Sequence, residues 1–305
     1  MPCTPTPKAA PIQARDNIRG GAYMAAAACV FAFEAVLVRI MVARGIPIEM
    51  QVFARSAGQL VWMLPFILTR GPGVFGTTRP GMHVLRGLCS VSTWALYYWS
   101  FAWLDLATAT VLSFTNVMFT CLLAQPVLGE RVGAARWAGT LAGLAGVAVM
   151  LRPGAEVSLA GAAVAMAAAL CWCGITLTTR GLARTEGTVT ILAWLSVVVV
   201  ACSTPAAALA WRPPDAGDWA WLVAFALVCP GIIWLVTEAL RLGEASFIAP
   251  FQYVRLLPIA AAGWLVWGEV PDGWAVLGAA LILAGAVIIT WAELRGPRPS
   301  GDKRA

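Results

Sequence analysis

Charge and histidine are scarce in this chain. Only 12% of its 305 residues are Asp, Glu, Lys or Arg, and His83 is the sole histidine. Soluble domains carry about a quarter charged residues, so this composition does not suit one. A membrane-embedded enzyme would need a convergent nucleophile and base or a metal cluster. One histidine, expected in a cytoplasmic loop, supplies neither. Seven of the eight cysteines, all but Cys3, lie in apolar runs, where they read as small hydrophobes. Cys171 and Cys173 would point to opposite faces of a helix with no His/Cys cluster nearby, so no metal is expected. No Walker phosphate loop or other nucleotide motif appears; direct coupling to ATP is disfavoured and no cofactor is implied. The polar, proline-rich first 20 residues lack a cleavage-site pattern, so the first apolar segment is expected to be retained as a helix. No segment reads as a soluble signalling domain, which weighs against a receptor.

What fills the chain is apolar: 60% of residues are hydrophobic and the mean hydropathy is +0.78. The runs are too long and too continuous for an outer-membrane barrel. The 29 glycines and 19 prolines fit a helical membrane bundle, where neighbouring helices satisfy freed backbone groups. A span needs about 20 apolar residues. By that length the chain divides into ten segments: Gly21–Val42, Met50–Leu68, Val84–Trp103, Ala107–Leu128, Trp137–Leu151, Leu159–Thr179, Thr188–Trp211, Trp219–Leu240, Ala245–Trp267 and Trp274–Trp291. The fold expected is an all-α integral membrane bundle.

Positive charge orients it. With a cytoplasmic N-terminus, fourteen Lys and Arg fall on the inner side (Lys8, Arg15, Arg19, Arg70, Arg79, Arg131, Arg136, Arg180, Arg184, Arg241, Arg295, Arg298, Lys303, Arg304) and three outside (Arg44, Arg152, Arg212). Retention of positive charge on the cytoplasmic side then places both termini inside. The net charge of +6 is thereby a topology signal and implies no nucleic-acid partner.

The chain also repeats itself. "LGERVGAARWAGTLAGLAGVAVM", Leu128 to Met150, aligns without gaps at an offset of 139 residues with "WGEVPDGWAVLGAALILAGAVII", Trp267 to Ile289. Gly129 and Glu130 fall on Gly268 and Glu269, Gly139 on Gly278, and Gly146 on Gly285. A unit of five helices forces the second copy to enter the membrane from the other side, giving an inverted repeat suited to alternating access.

These residues resemble a known family. The segments "LDLATATVLSFTNVMFTCLLAQPVLGERVGAARWAGTLAGLAGVAVMLRPG" (Leu104 to Gly154) and "LRLGEASFIAPFQYVRLLPIAAAGWLVWGEVPDGWAVLGAALILAGAVI" (Leu240 to Ile288) look like the two EamA domains of the drug/metabolite transporter superfamily. The resemblance implies a cytoplasmic tail at 1–20, a first EamA domain at 21–152, a second at 158–292 and a cytoplasmic tail at 293–305. It implies a secondary transporter of the bacterial inner membrane, with an amino-acid or metabolite exporter as the first reading. "APFQYVRLLPIAAAGWLVWGEVPDGW" and "IPIEMQVFAR" also resemble the bacterial subgroup with S-adenosylmethionine and riboflavin uptake carriers, so vitamin or cofactor uptake is the alternative.

Charges within hydrocarbon normally face the bundle interior. Glu34 lies 13 residues from Gly21, and Arg255 lies 11 from Glu244. At about 1.5 Å per residue both sit near mid-depth. They come from opposite halves, so an ion pair or joint binding of a zwitterionic substrate is expected; a purely structural pair is the competing reading. A proton exchanging at Glu34 is a candidate coupling ion. Arg39, near the outer end of its helix, is expected to snorkel to the interface. Gln51, Arg55 and Gln59 form a polar stripe at spacing four, and Thr110, Ser113, Asn116 and Thr120 another. Arg55 and Asn116 are the candidate path residues among them, and Gln252 shares the face of Arg255. In "WALYYWSFAW", Trp94 and Tyr98 could stack on a planar or cationic group, or simply pack. Gly139, Gly143, Gly146, Gly278 and Gly285 allow close helix contact, within the chain or in a homodimer. The expected partners are a small-molecule substrate and the lipid bilayer.

Overall fold

The computed structural model describes residues 10–100, 103, 112–129, 132–151, 158–267 and 273–295. Among these residues the chain is helical and contains no strand. The helices are α1 (Ala10–Ala43), α2 (Ile48–Arg70), α3 (Pro80–Ser100), α4 (Thr115–Leu128), α5 (Ala134–Leu151), α6 (Leu159–Ala183), α7 (Thr188–Leu209), α8 (Ala216–Leu242), the single turn α9 (Ala245–Ile248), α10 (Leu256–Trp267) and α11 (Gly273–Arg295). Among the described residues, five stretches are long and apolar enough to cross a membrane: Arg15–Ala43, Ile48–Phe75, Leu159–Ala183, Thr188–Leu209 and Ala216–Leu242. Thr115–Leu128 and Val276–Ala292 are shorter apolar helices. Helix α3 falls below the same hydropathy because His83, Arg86 and several Ser and Thr interrupt it.

Local chemistry fixes the ends. Gly45, at φ 69°, adopts the left-handed conformation that turns α1 into α2, and Gly129, at φ 70°, ends α4 in the same way. Asp215 caps α8 by accepting the Asp218 N–H at 2.6 Å, while the Asp218 carboxylate accepts the Asp215 N–H at 3.4 Å. Exposed apolar side chains such as Leu68, Leu159, Leu209 and Leu265 stud the outside of the bundle, as a lipid-facing surface requires.

The segment expected as a tail at 1–20 is helical from Ala10, and buried Asn17 accepts the Glu244 N–H at 2.9 Å, which ties that extension to the start of α9. One expectation on elements needs correction. The expected single helix Ala245–Trp267 is broken: after α9 the chain runs as a 3-10 turn over Ala249–Arg255 before α10 begins. Pro250 cannot donate a helical hydrogen bond, whereas Pro258 sits in the first turn of α10, where no such bond is needed. The expected positions Thr110, Glu130, Arg131, Arg152 and Glu269 lie outside the described residues, as does the side chain of Arg39.

Helices from the two halves of the chain pair with one another. Helix α1 packs on α8 and α3 on α6; α2 packs on α7 and α8, and α3 on α7; α1 packs on the broken segment and α4 on α6; α5 packs on α11. At the last contact a Cβ on Gly139 would come within 2.7 Å of the Gly285 carbonyl oxygen, and one on Gly146 within 2.7 Å of the Gly278 carbonyl oxygen. Residue numbers rise along α5 as they fall along α11, so the pair is antiparallel. These glycines are therefore occupied within the chain, which removes them as a dimer surface. Gly143 faces the Tyr253 ring in the same layer.

Candidate functional site

Four first-half helices and three second-half elements bring buried polar groups to one region. Glu34 on α1 is 3% exposed and Arg55 on α2 is 5% exposed. The Arg55 Nη1 donates directly to the Glu34 Oε1, and it also lies 3.5 Å from the Cys229 sulfur on α8. The Arg55 guanidinium sits 3.8 Å from the centre of the Trp94 ring on α3. The stripe Gln51, Arg55 and Gln59 is buried along its whole length, as its spacing of four predicted. Gln51 Nε2 donates to the Ile46 carbonyl at 2.9 Å and so braces the α1–α2 turn.

The expected ion pair between Glu34 and Arg255 is not formed. Arg55 has taken the carboxylate because α1 and α2 are joined by a tight turn, which sets residues 34 and 55 opposite each other. Arg255, at the end of the 3-10 turn, acts on Glu34 through its charge without touching it. Its Nη2 is 3.4 Å from the Ser113 hydroxyl, and its guanidinium faces the rings of Phe114 at 4.2 Å, Trp172 at 5.0 Å and Phe31 at 5.7 Å. Trp172 and Trp94 lie 5.4 Å apart, centroid to centroid. The result is a ladder: Arg55, Trp94, Trp172, Arg255, Phe114.

The remaining predicted residues border this ladder. Tyr98 is 5.8 Å from Trp94, ring to ring, and both are buried, so they face inward. Asn116 is fully buried on α4 and Gln252 is 5% exposed in the 3-10 turn. Several buried atoms have no hydrogen-bond partner among the described residues: Glu34 Oε2, Arg55 Nη2, Arg255 Nε, Gln252 Oε1 and both amide atoms of Gln59 and of Asn116. Such groups are costly unless they meet a polar solute or water. Sequence reasoning missed Trp172, Phe31, Phe114 and Cys229. Nothing in an apolar run marks which aromatic faces inward; helix–helix pairing alone decides it.

A cavity of about 30 Å³ borders this region and is lined by Arg55, Ser56, Gln59, Ser90, Trp94 and Cys229 among others. It has room for water but not for a metabolite, so admitting one requires the helices to part. The larger groove between α2 and α8, about 310 Å³, is lined only by apolar side chains such as Phe53, Trp62 and Leu227. It offers a polar solute nothing to bind.

Both ends of the bundle are latched. At the end where α1 turns into α2, the Arg44 Nε donates to Asp218 Oδ1 at 2.7 Å, and Arg212 donates to the carbonyls of Arg44 at 3.2 Å and Gly45 at 2.9 Å. At the opposite end, His83 Nε2 lies 2.6 Å from Glu186 Oε2, Arg180 donates to the Leu240 carbonyl at 2.8 Å, and Arg136 pairs with Glu244.

Comparison with known proteins agrees in kind. The chain is 28% identical over 241 residues to an S-adenosylmethionine uptake transporter of Rickettsia bellii, covering 79% of this chain and 83% of the relative. It is 28% identical over 289 residues to a riboflavin transporter of Vibrio cholerae, covering 92% and 96%. A pseudopaline exporter of Pseudomonas aeruginosa is 28% identical over 247 residues, covering 78% and 84%. A solved crystal structure with 20% identity superposes with a TM-score of 0.75 over 91% of this chain and 99% of its own, which shows a shared fold. The model of the EamA-like transporter family matches residues 18–152 and again 159–291. With both halves matched, the chain belongs to the EamA-like transporter family.

Proposed function

We propose that this protein is a secondary transporter that moves a small polar metabolite across the bacterial inner membrane by alternating access, from ten spans arranged as two inverted repeats with both termini cytoplasmic. The observation that carries the reading is the convergence of buried charged and aromatic groups from both family-matched halves beside a small cavity in the bundle. Inversion is supported by the packing. If α1 to α3 correspond to α6 to α8, α4 to the broken segment and α5 to α11, the contacts come in exchanged pairs: α1 on α8 with α3 on α6, and α1 on the broken segment with α4 on α6. The antiparallel α5–α11 contact exchanges equivalents as well, Gly139 with Gly285 and Gly146 with Gly278. Antiparallel partners related by a two-fold axis need that axis perpendicular to them, in the membrane plane.

The aromatic walls of Phe31, Trp94 and Trp172 suit a planar metabolite. Together with the relatives named for S-adenosylmethionine and riboflavin, this favours uptake of a vitamin or cofactor. Export of an amino acid or related metabolite is the second reading, supported by the relative named as a pseudopaline exporter. The test is flux of labelled riboflavin, S-adenosylmethionine and amino acids in vesicles of defined orientation. Saturable flux that disappears in Arg55→Gln is expected; vesicles no more permeable than protein-free ones would sink the carrier reading.

A further inference from the structure

The bundle interior is unevenly charged. Among the described residues, four arginines are buried, Arg55, Arg86 and Arg255 at 5%, 2% and 6% exposure and Arg180 at 9%, against two buried carboxylates, Glu34 and Asp218, of which Asp218 is paired with Arg44 at one end of the bundle. Glu34 is engaged by Arg55. Arg86 on α3 donates to the hydroxyls of Thr179 at 2.7 Å and Thr237 at 3.4 Å, and its Nη1 has no partner in the chain. Arg255 meets one hydroxyl and three aromatic faces, and its Nε is likewise without a partner. Neither has a carboxylate in hydrogen-bonding contact. Aromatic faces ease the burial of a guanidinium but do not neutralise it. A buried cation without a counter-charge is costly to keep, and an arriving anion would remove that cost. A cation would add to it.

We propose that the carried solute is an organic anion with a planar ring, its carboxylate or phosphate received by Arg255 and its ring inserted between Trp94 and Trp172. The two tryptophans are 5.4 Å apart and inclined by 52°, in contact with each other, so the wedge between them opens to a ring only as the helices part. A flat ring entering it brings a substituent on its edge to the Arg255 guanidinium, 5.0 Å from the Trp172 centroid. The planar fork of a guanidinium matches either anionic group. Arg86, one helical turn from Ser90 of the cavity wall, would give the anion a second positive station on the inner half of the path. This inference rests on the carrier reading but concerns only the sign of the solute's charge.

The test uses probes matched in ring and opposed in charge, bound by equilibrium dialysis to the full chain in lipid nanodiscs. Indole-3-acetate against tryptamine tests a carboxylate, and riboflavin 5′-phosphate against riboflavin tests a phosphate. In at least one pair the anion should bind about tenfold tighter, the scale of one charge-assisted contact. That preference should vanish in Arg255→Gln and persist in part in Arg255→Lys. Equal behaviour of both members in both pairs, whether both bind or neither does, overturns the proposal, as does a preference that survives Arg255→Gln. Should that variant not fold, the wild-type comparison and Arg255→Lys still decide. A chain that prefers tryptamine yet sustains solute flux in vesicles overturns the anion assignment alone; anion binding without flux of any bound probe overturns the carrier reading alone.

Discussion

At the scale of the residue, Glu34 and Arg55 carry the sharpest expectations. Each holds a charge out of water that the other offsets by direct contact, so removing one leaves its partner without that contact. Glu34→Ala should cost about 3 kcal/mol of unfolding free energy. Adding Arg55→Leu should recover at least about 1 kcal/mol of that loss, because the double variant buries no lone charge. Chemical unfolding of Glu34→Ala, Arg55→Leu and the double variant in micelles measures both values, and strictly additive losses would show that the pair is not coupled. Transport gives a second readout. If Glu34 is the coupling residue, flux in Glu34→Gln should lose its response to an imposed pH gradient while solute binding is kept; an unchanged response excludes that role. The sequence alone exposed Glu34, Arg55 and Arg255 because charge in an apolar run stands out. It did not reveal who pairs with whom. Pairing depends on the tight turn at Gly45 and on the break before α10, and that break is not legible in the sequence, because other helices of this chain carry an internal proline without breaking.

Elements show where small residues are indispensable. A Cβ on Gly58 of α2 would lie 2.1 Å from the backbone carbonyl oxygen of Ala226 on α8, and backbone cannot step aside as a side chain can. Gly231 on α8 has nothing within 4 Å of the same construction. Gly58→Ala should therefore destabilise the bundle by about 1–3 kcal/mol, whereas Gly231→Ala should be neutral or slightly stabilising through helix propensity. Thermal unfolding of the two variants in one detergent makes the comparison, and equal midpoints would refute the α2–α8 contact. Both glycines look alike in the sequence. The offset of 139 residues singled out Gly139, Gly146, Gly278 and Gly285 instead, because a repeat records which positions two copies share; it could not say that the two copies pack on each other.

For the whole molecule, the question is which latch opens, and magnitudes make it answerable. Arg44 is 37% exposed in its side chain, so its pair with Asp218 makes only a solvent-screened contribution. That is little for stability, yet a conformational equilibrium between states of similar energy moves about fivefold for each 1 kcal/mol. Arg44→Gln is the cleaner variant, since replacing Asp218 would also remove the capping box that starts α8. In a background without native cysteines, a cysteine placed at Gln59, 3% exposed and lining the cavity, reports whether that cavity has opened. With Arg44→Gln added, its reaction with a membrane-impermeant thiol reagent supplied from outside should rise about fivefold, and with reagent supplied from inside it should fall. The same vesicles test topology: Pro213→Cys should react from outside and Thr185→Cys only after permeabilisation, as both termini inside requires. A rise from both sides would mean that Arg44→Gln loosens the bundle instead of tipping it, and that the outer contact is packing and not a gate.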